Sequence, residues 1–205
     1  MRLRLRWPVT LSERERKEQR ETPTGESITT PKIEFYPEFY SDRAAMDGKG
    51  RTLAAELRDK DVNHFWVSFE SGKYFSSLNK QDIPKIRRLT LLNADCQWAK
   101  DVVAMISKND ISGEFDLAIR NAIRFAVKYK IQVRLSDKPM MNVVIADPED
   151  PESNSWARIN IFLPYTTSEE WPVIVIYKTK EPRLFAVIKD AYDEMWNNAK
   201  EPIKP

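Results

Sequence analysis

Between Ser112 and Lys130 apolar residues recur every three or four positions. Ala118, Ile119, Ala122, Ile123, Ala126 and Val127 form one stripe, while Asp116, Arg120, Arg124 and Lys128 step along the opposite side. That period predicts an amphipathic helix with one buried face. Ser112 and Gly113 open it, and Glu114 and Asp116 put carboxylates in the first turn, where they favour the positive end of the helix dipole. After Lys130 the period becomes alternating, with Ile131, Val133 and Leu135 against Gln132 and Arg134, which predicts an edge or half-buried strand. Met141 to Ala146 is apolar on both faces except at Asn142, the pattern of a central strand covered by helices on each side. The strand ends on Asp147, the acidic, proline-bearing segment from Pro148 to Ser155 reads as a loop, and Ala157 to Leu163 resumes alternation through Ile159 and Ile161.

The same reading extends outward from this segment. Phe35, Tyr36, Phe39 and Tyr40 cluster around Pro37, an aromatic density that predicts packing and marks the start of the fold. Ser41 or Asp42 caps a short helix that Gly48 and Gly50 interrupt before Arg51 to Lys60 resumes it with Leu53, Ala54 and Leu57 inward. Phe65, Val67 and Phe69 alternate in a strand that Ser71-Gly72 ends, with His64 at its start in a capping or surface role. Ser77 to Lys85 reads as a short helix or loop. A second strand runs from Arg87 to Asn93, and a helix follows with Trp98, Val102, Met105 and Ile106 on one side. Pro172 to Tyr177 is rich in Val and Ile. Pro182 to Ala199 closes the chain as a helix whose buried face would be Leu184, Phe185, Ile188, Ala191, Tyr192, Met195 and Trp196. Together these elements predict an α/β fold: a three-layer sandwich around a mixed, largely parallel central sheet.

Composition narrows the chemistry. At 205 residues, with 41% hydrophobic and 31% charged, the chain fits a flexible polar arm over 1–31 and a single α/β domain over 32–205. No window approaches the roughly 18 apolar residues of a membrane span. Cys96 is the only cysteine and His64 the only histidine, so an internal disulfide and histidine- or cysteine-clustered metal sites are excluded, and a cytoplasmic setting is expected. Residues 1–31 hold seven basic residues, Arg2, Arg4 and Arg6 among them, against five glutamates. The remainder has 26 of each sign. Arg2, Arg4 and Arg6 beside Trp7 are candidate nucleic-acid contacts, or else belong to a solvated or edge-pairing arm. With five glycines in the chain and no phosphate-loop or dinucleotide motif, no cofactor is expected.

Asp147 ending a strand, Ser155 downstream and the order of elements carry a resemblance to one half of the phospholipase D superfamily, over roughly Ile33 to Ala199. In that family an H-x-K-x4-D motif supplies a histidine nucleophile and a lysine that neutralises phosphate. Aligning its aspartate with Asp147 puts Met140 at the histidine position and Asn142 at the lysine position. Ser155 matches the serine of the family's G-S-x-N element, whereas Asn154 and Ala157 depart from its glycine and asparagine. A thioether cannot replace an imidazole as nucleophile, and an amide carries no charge to stabilise a developing dianion. The segment HFWVSFESG also looks like the first strand and loop of a Toll/interleukin-1 receptor domain.

The resemblance implies a degenerate, non-catalytic binding or regulatory module that self-associates, because single halves of that family pair across a shared site. Its ligand-facing candidates are Asp147, Ser155, Asn142 and Arg134, with a partner protein or a small phosphorylated ligand as occupant. Two alternatives stand beside it. One is a phosphodiesterase or nuclease that holds a hard divalent cation on Asp147, Glu149, Asp150 and Glu152. The other is nucleic-acid binding through the amino-terminal arm and the Arg120, Arg124, Lys128 side of the long helix. Asp147 also has a plain explanation as a turn residue preceding Pro148.

Overall fold

The computed structural model describes residues 38–50, 52–70, 78, 85–106, 112–150, 154–166 and 168–201. They all lie within one compact unit, Phe35–Pro205. In chain order the described elements are β1 (Glu38–Tyr40), α1 (Arg43–Asp47), α2 (Leu53–Leu57), β2 (Phe65–Phe69), β3 (Ile86–Leu92), α3 (Gln97–Ile106), α4 (Ser112–Lys128), β4 (Gln132–Ser136), β5 (Asn142–Ala146), β6 (Trp156–Asn160), β7 (Val173–Tyr177) and α5 (Pro182–Asn198). Arg2, Arg4, Arg6, the Ser71-Gly72 loop and Glu152 fall outside the described residues, as does most of Ser77 to Lys85.

Local chemistry explains the ends of these elements. Asp42 caps α1 by accepting the Ala45 N–H at 2.7 Å, and Thr52 caps α2 through Ala55 at 3.1 Å. The long helix α4 closes in a Schellman turn: the Ile131 N–H donates to the Ala126 carbonyl and the Lys130 N–H to that of Val127. Lys130 takes the left-handed position of that turn, φ 58°. Pro182 lies in the first turn of α5, where its missing N–H costs nothing.

The strands form one α/β sheet in the order β1-β7-β6-β5-β2-β3-β4. It is mixed, but the expectation that it is largely parallel is corrected. Only β2 with β3 and β3 with β4 run parallel, whereas β1, β7, β6, β5 and β2 pair antiparallel in succession. The connections dictate this. Helices α3 and α4 give a crossover long enough to return β4 parallel to β3, while among the described residues no helix lies between β5, β6 and β7. Residues 137–141 carry the chain from β4 over the carboxyl ends of β3 and β2 to β5, a span of about 14 Å at the usual strand spacing.

Two large apolar clusters form on alternate positions of the strands, and a small third one joins Met46 of α1 to Val173 and Val175 of β7. Phe65, Val67, Leu89, Leu91, Val144 and Ala146 join Leu53 and Leu57 of α2, Ala99 and Val102 of α3, and Ile119, Ala122 and Ala126 of α4. Trp66, Val143, Ile145, Ala157 and Ile176 join Phe185, Ile188, Tyr192 and Trp196 of α5. Each large side chain so buried contributes about 1.5–3 kcal/mol over its exposed state. The faces are narrower than the sequence pattern predicts: Leu184 and Ala191 of α5 and Val127 of α4 are exposed, since packing on a sheet covers one row at i, i+3/i+4 and leaves its flanks wet. On α3 the buried row is Ala99, Val102 and Val103, with Trp98 and Met105 at its margin. Phe39 is 64% exposed on β1, so its ring does not join the predicted aromatic packing. Among the described residues no helix is long and apolar enough to cross a membrane.

Candidate functional site

The antiparallel pairing of β2 with β5 sets Phe65 opposite Ala146, and one step further it brings Asp147 to the start of β2. There the Asp147 N–H donates to the His64 carbonyl at 2.9 Å. Its carboxylate accepts the backbone N–H of Asn63 at 3.0 Å on each oxygen and that of His64 at 2.8 Å. The imidazole Nδ1 of His64 lies 3.2 Å from the same carboxylate. Asp147 is buried and left-handed, φ 43°, a conformation that aspartate tolerates better than most residues and that Pro148 steers away from the right-handed region. Ser155 belongs to the same corner: its hydroxyl donates to the Asp147 carbonyl at 2.8 Å, which also accepts the Asp150 N–H. The sequence therefore picked two residues that do meet, and missed His64. That imidazole is half-buried in this corner, with Nε2 enclosed and 3.9 Å from Glu149.

Beside this corner a cleft of about 500 Å³ opens, lined by Glu56, Arg58, Asp59, Asp61, Asp147, Asn154, Trp156 and Tyr177. Its floor is braced by a buried ion pair, Glu56 of α2 with Arg158 of β6, at 2.5 Å. Lys178 closes the neighbouring turn by donating from Nζ to the Asp150 carbonyl at 2.6 Å.

Asn142 and Arg134 lie elsewhere. Asn142 begins β5, about 17 Å from Asp147 at the rise of a strand. It is buried and hydrogen-bonded to Glu70, while its amide oxygen has no partner. Burial pushes the Glu70 carboxyl up to about 7, against hydrogen bonds from its own backbone and from Asn142 that pull it down. Met140 packs at the margin of the larger apolar cluster. Arg134, on β4, donates to the Trp196 carbonyl at 2.8 Å and stacks 4.6 Å from that ring. Arg88 stacks 3.8 Å from Trp66 and pairs with Asp193 at 2.8 Å. These arginines hold α5 to the sheet through cation and ring contacts.

Asp147 and Glu149 of the acidic loop face groups of the protein itself. Asp147 faces amide N–H groups, and Glu149 faces His64 and Arg88, the latter at 3.7 Å. Among the described residues no three histidine, cysteine, aspartate or glutamate side chains cluster to hold a metal ion. Of the residues that shape the two ends of β5, Glu56, His64, Glu70 and Arg158 carried no local signal. Only knowledge that β2 pairs antiparallel with β5 would have set His64 opposite Asp147.

No family model matches the chain, and no curated protein matches it. Among solved structures it is similar to TrmBL2, an archaeal chromatin protein whose structure was described as showing a novel mode of DNA binding. The TM-score is 0.46 at 15% identity, over 85% of this chain and 57% of that one.

Proposed function

We propose that this chain is a non-catalytic ligand-binding or regulatory module, a three-layer α/β unit of the phospholipase D-like half type, whose ligand enters the cleft beside Asp147. The observation that supports it is the commitment of the Asp147 carboxylate. The His64 N–H and the imidazole engage its Oδ1, and the Asn63 N–H is shared between Oδ1 and Oδ2, so the carboxylate is committed to holding β2 to β5. His64, the only imidazole in the chain, is turned at Nδ1 to Asp147 and is not among the residues that line the cleft, which puts no imidazole beside a ligand there. The open wall remains for binding.

Its lining holds Asp59 and Asp61, both exposed, against Arg58, with Trp156 and Tyr177 beside them, while Glu56 and Asp147 are engaged by Arg158 and by backbone N–H groups. Carboxylates beside aromatic faces favour an organic cation over a phosphorylated ligand. Calorimetric titration with spermidine, choline and a nucleoside monophosphate tests this. The two cations are expected to bind, and Asp59→Asn with Asp61→Asn to weaken them by about tenfold. Tighter binding of the nucleotide, or phosphodiester turnover abolished by Asp147→Ala, overturns the reading.

Nucleic-acid binding is the second reading, favoured by the basic excess of residues 1–31; Arg124 and Lys128 of α4 are also exposed. Its signature is affinity that falls steeply with salt.

A further inference from the structure

A second cleft, of about 430 Å³, lies at the opposite edge of the sheet, against the carboxyl ends of β3 and β4. Small-molecule sites span about 300–1,000 Å³, and in open α/β sheets ligands sit outside the carboxyl ends of parallel strands. Three segments build it: the turn after β3, the outward side of α4, and Lys200 with Glu201. The last is fixed to the sheet, because Lys200 and Leu135 exchange backbone hydrogen bonds of 2.7 and 2.9 Å.

The floor is apolar, formed by Ala94, Ile119, Ile123 and Leu135, and the rim is charged. Three rim acids, Asp95, Asp116 and Glu201, face three rim bases, Arg120, Arg124 and Lys200. A rim of both signs suits a ligand that carries both. Internal pairs then consume part of the rim: Arg120 donates to Asp116 at 2.7 Å, and the Lys200 ammonium pairs with Asp137. Arg124, Asp95 and Glu201 make no ion pair among the described residues. Arg124 and Glu201 are left around an apolar floor, together with Asp95, whose charge also acts on Arg120.

We infer that this cleft binds a small zwitterion with an apolar side chain, of the class of free α-amino acids and short peptides. The ligand carboxylate meets Arg124, whose planar fork suits a two-oxygen acceptor. Its ammonium meets Asp95, and its side chain covers Ile119, Ile123 and Leu135. This site is independent of the cleft beside Asp147.

Calorimetry and methyl NMR on the full chain test it with leucine, phenylalanine and a leucyl-leucine dipeptide. The controls are leucinamide, which lacks the carboxylate, and 4-methylpentanoate, which lacks the ammonium. At least one zwitterion is expected to bind and shift the Ile119 and Ile123 methyl signals, with both single-charge controls weaker by about tenfold or more. Arg124→Ala and Asp95→Asn, both at exposed positions, are each expected to reproduce that loss, and Asp59→Asn with Asp61→Asn to leave affinity unchanged. Controls that bind as tightly as leucine, an Arg124→Ala chain with undiminished affinity, or methyl signals unmoved at about 10 mM ligand each overturn the assignment.

Discussion

Asp147 takes a left-handed backbone immediately before a proline and still donates and accepts hydrogen bonds at every polar atom. Its carboxylate is the cap that ends the β2–β5 ladder. Asp147→Ala strands the Asn63 and His64 N–H groups and removes the partner of the imidazole, a loss of about 3 kcal/mol for a buried charge-assisted network. Urea unfolding measures it directly. Glu70, at the far end of β2, behaves oppositely. Burial raises its folded value to about 7 from the usual 4.5, so the folded state favours the protonated acid. Its contribution to stability is whole below pH 4.5 and is lost as pH rises through 7. In Glu70→Gln the carboxyl no longer titrates, and stability should be flatter across that window than in the parent and higher at pH 8. A parent chain whose stability climbs between pH 4.5 and 7, with the Gln variant climbing less, would contradict the sign.

Helices and strands were legible wherever their period was local. The apolar rows of α4 and α5, the both-faces apolar run of β5 and the Asp42 cap all follow from neighbours within one or two turns. What the pattern could not carry is pairing across the sheet. His64 and Asp147 are 83 residues apart and Glu56 and Arg158 are 102 apart. Neither pair has a spacing that a periodic pattern could reveal. Glu56 reads as the wet side of a short helix, yet it is buried because α2 lies over Arg158 of β6. The same gap explains the site candidates: Asp147 and Asn142 are close in sequence but occupy the two ends of one extended strand, while Ser155 returns to Asp147 through a loop. The buried pair also gives an element-scale prediction. Glu56→Ala leaves the Arg158 guanidinium desolvated without this carboxylate, and α2 should loosen from β6 at a cost of about 3–5 kcal/mol. Glu56→Leu combined with Arg158→Met removes both charges from the apolar surround and should recover most of that loss. A double-mutant cycle in urea separates this from simple loss of packing, since two independent packing defects would add.

Across the whole molecule, charge is balanced outside residues 1–31, and many described bases are answered within the fold: Arg88 and Lys189 by Asp193, Arg120 by Asp116, Arg158 by Glu56 and Lys200 by Asp137. A polyanion gains affinity chiefly by releasing counterions to cations that have no internal partner. The excess of basic over acidic residues in this chain lies in the first 31 residues, where Arg2, Arg4, Arg6, Arg14, Arg16, Lys17 and Arg20 stand against five glutamates. Duplex DNA titrated by fluorescence anisotropy at several salt concentrations should therefore respond to the arm and not to the body. Replacing Arg2, Arg4 and Arg6 by alanine in the full chain should flatten the dependence of log K on log salt by about 2.7, or about 0.9 per lost phosphate contact. Replacing Arg124 and Lys128, exposed on α4, should leave it nearly unchanged. The reverse result would move the polyanion contact onto α4, where it would compete with the zwitterion for Arg124, and leucine would then displace DNA.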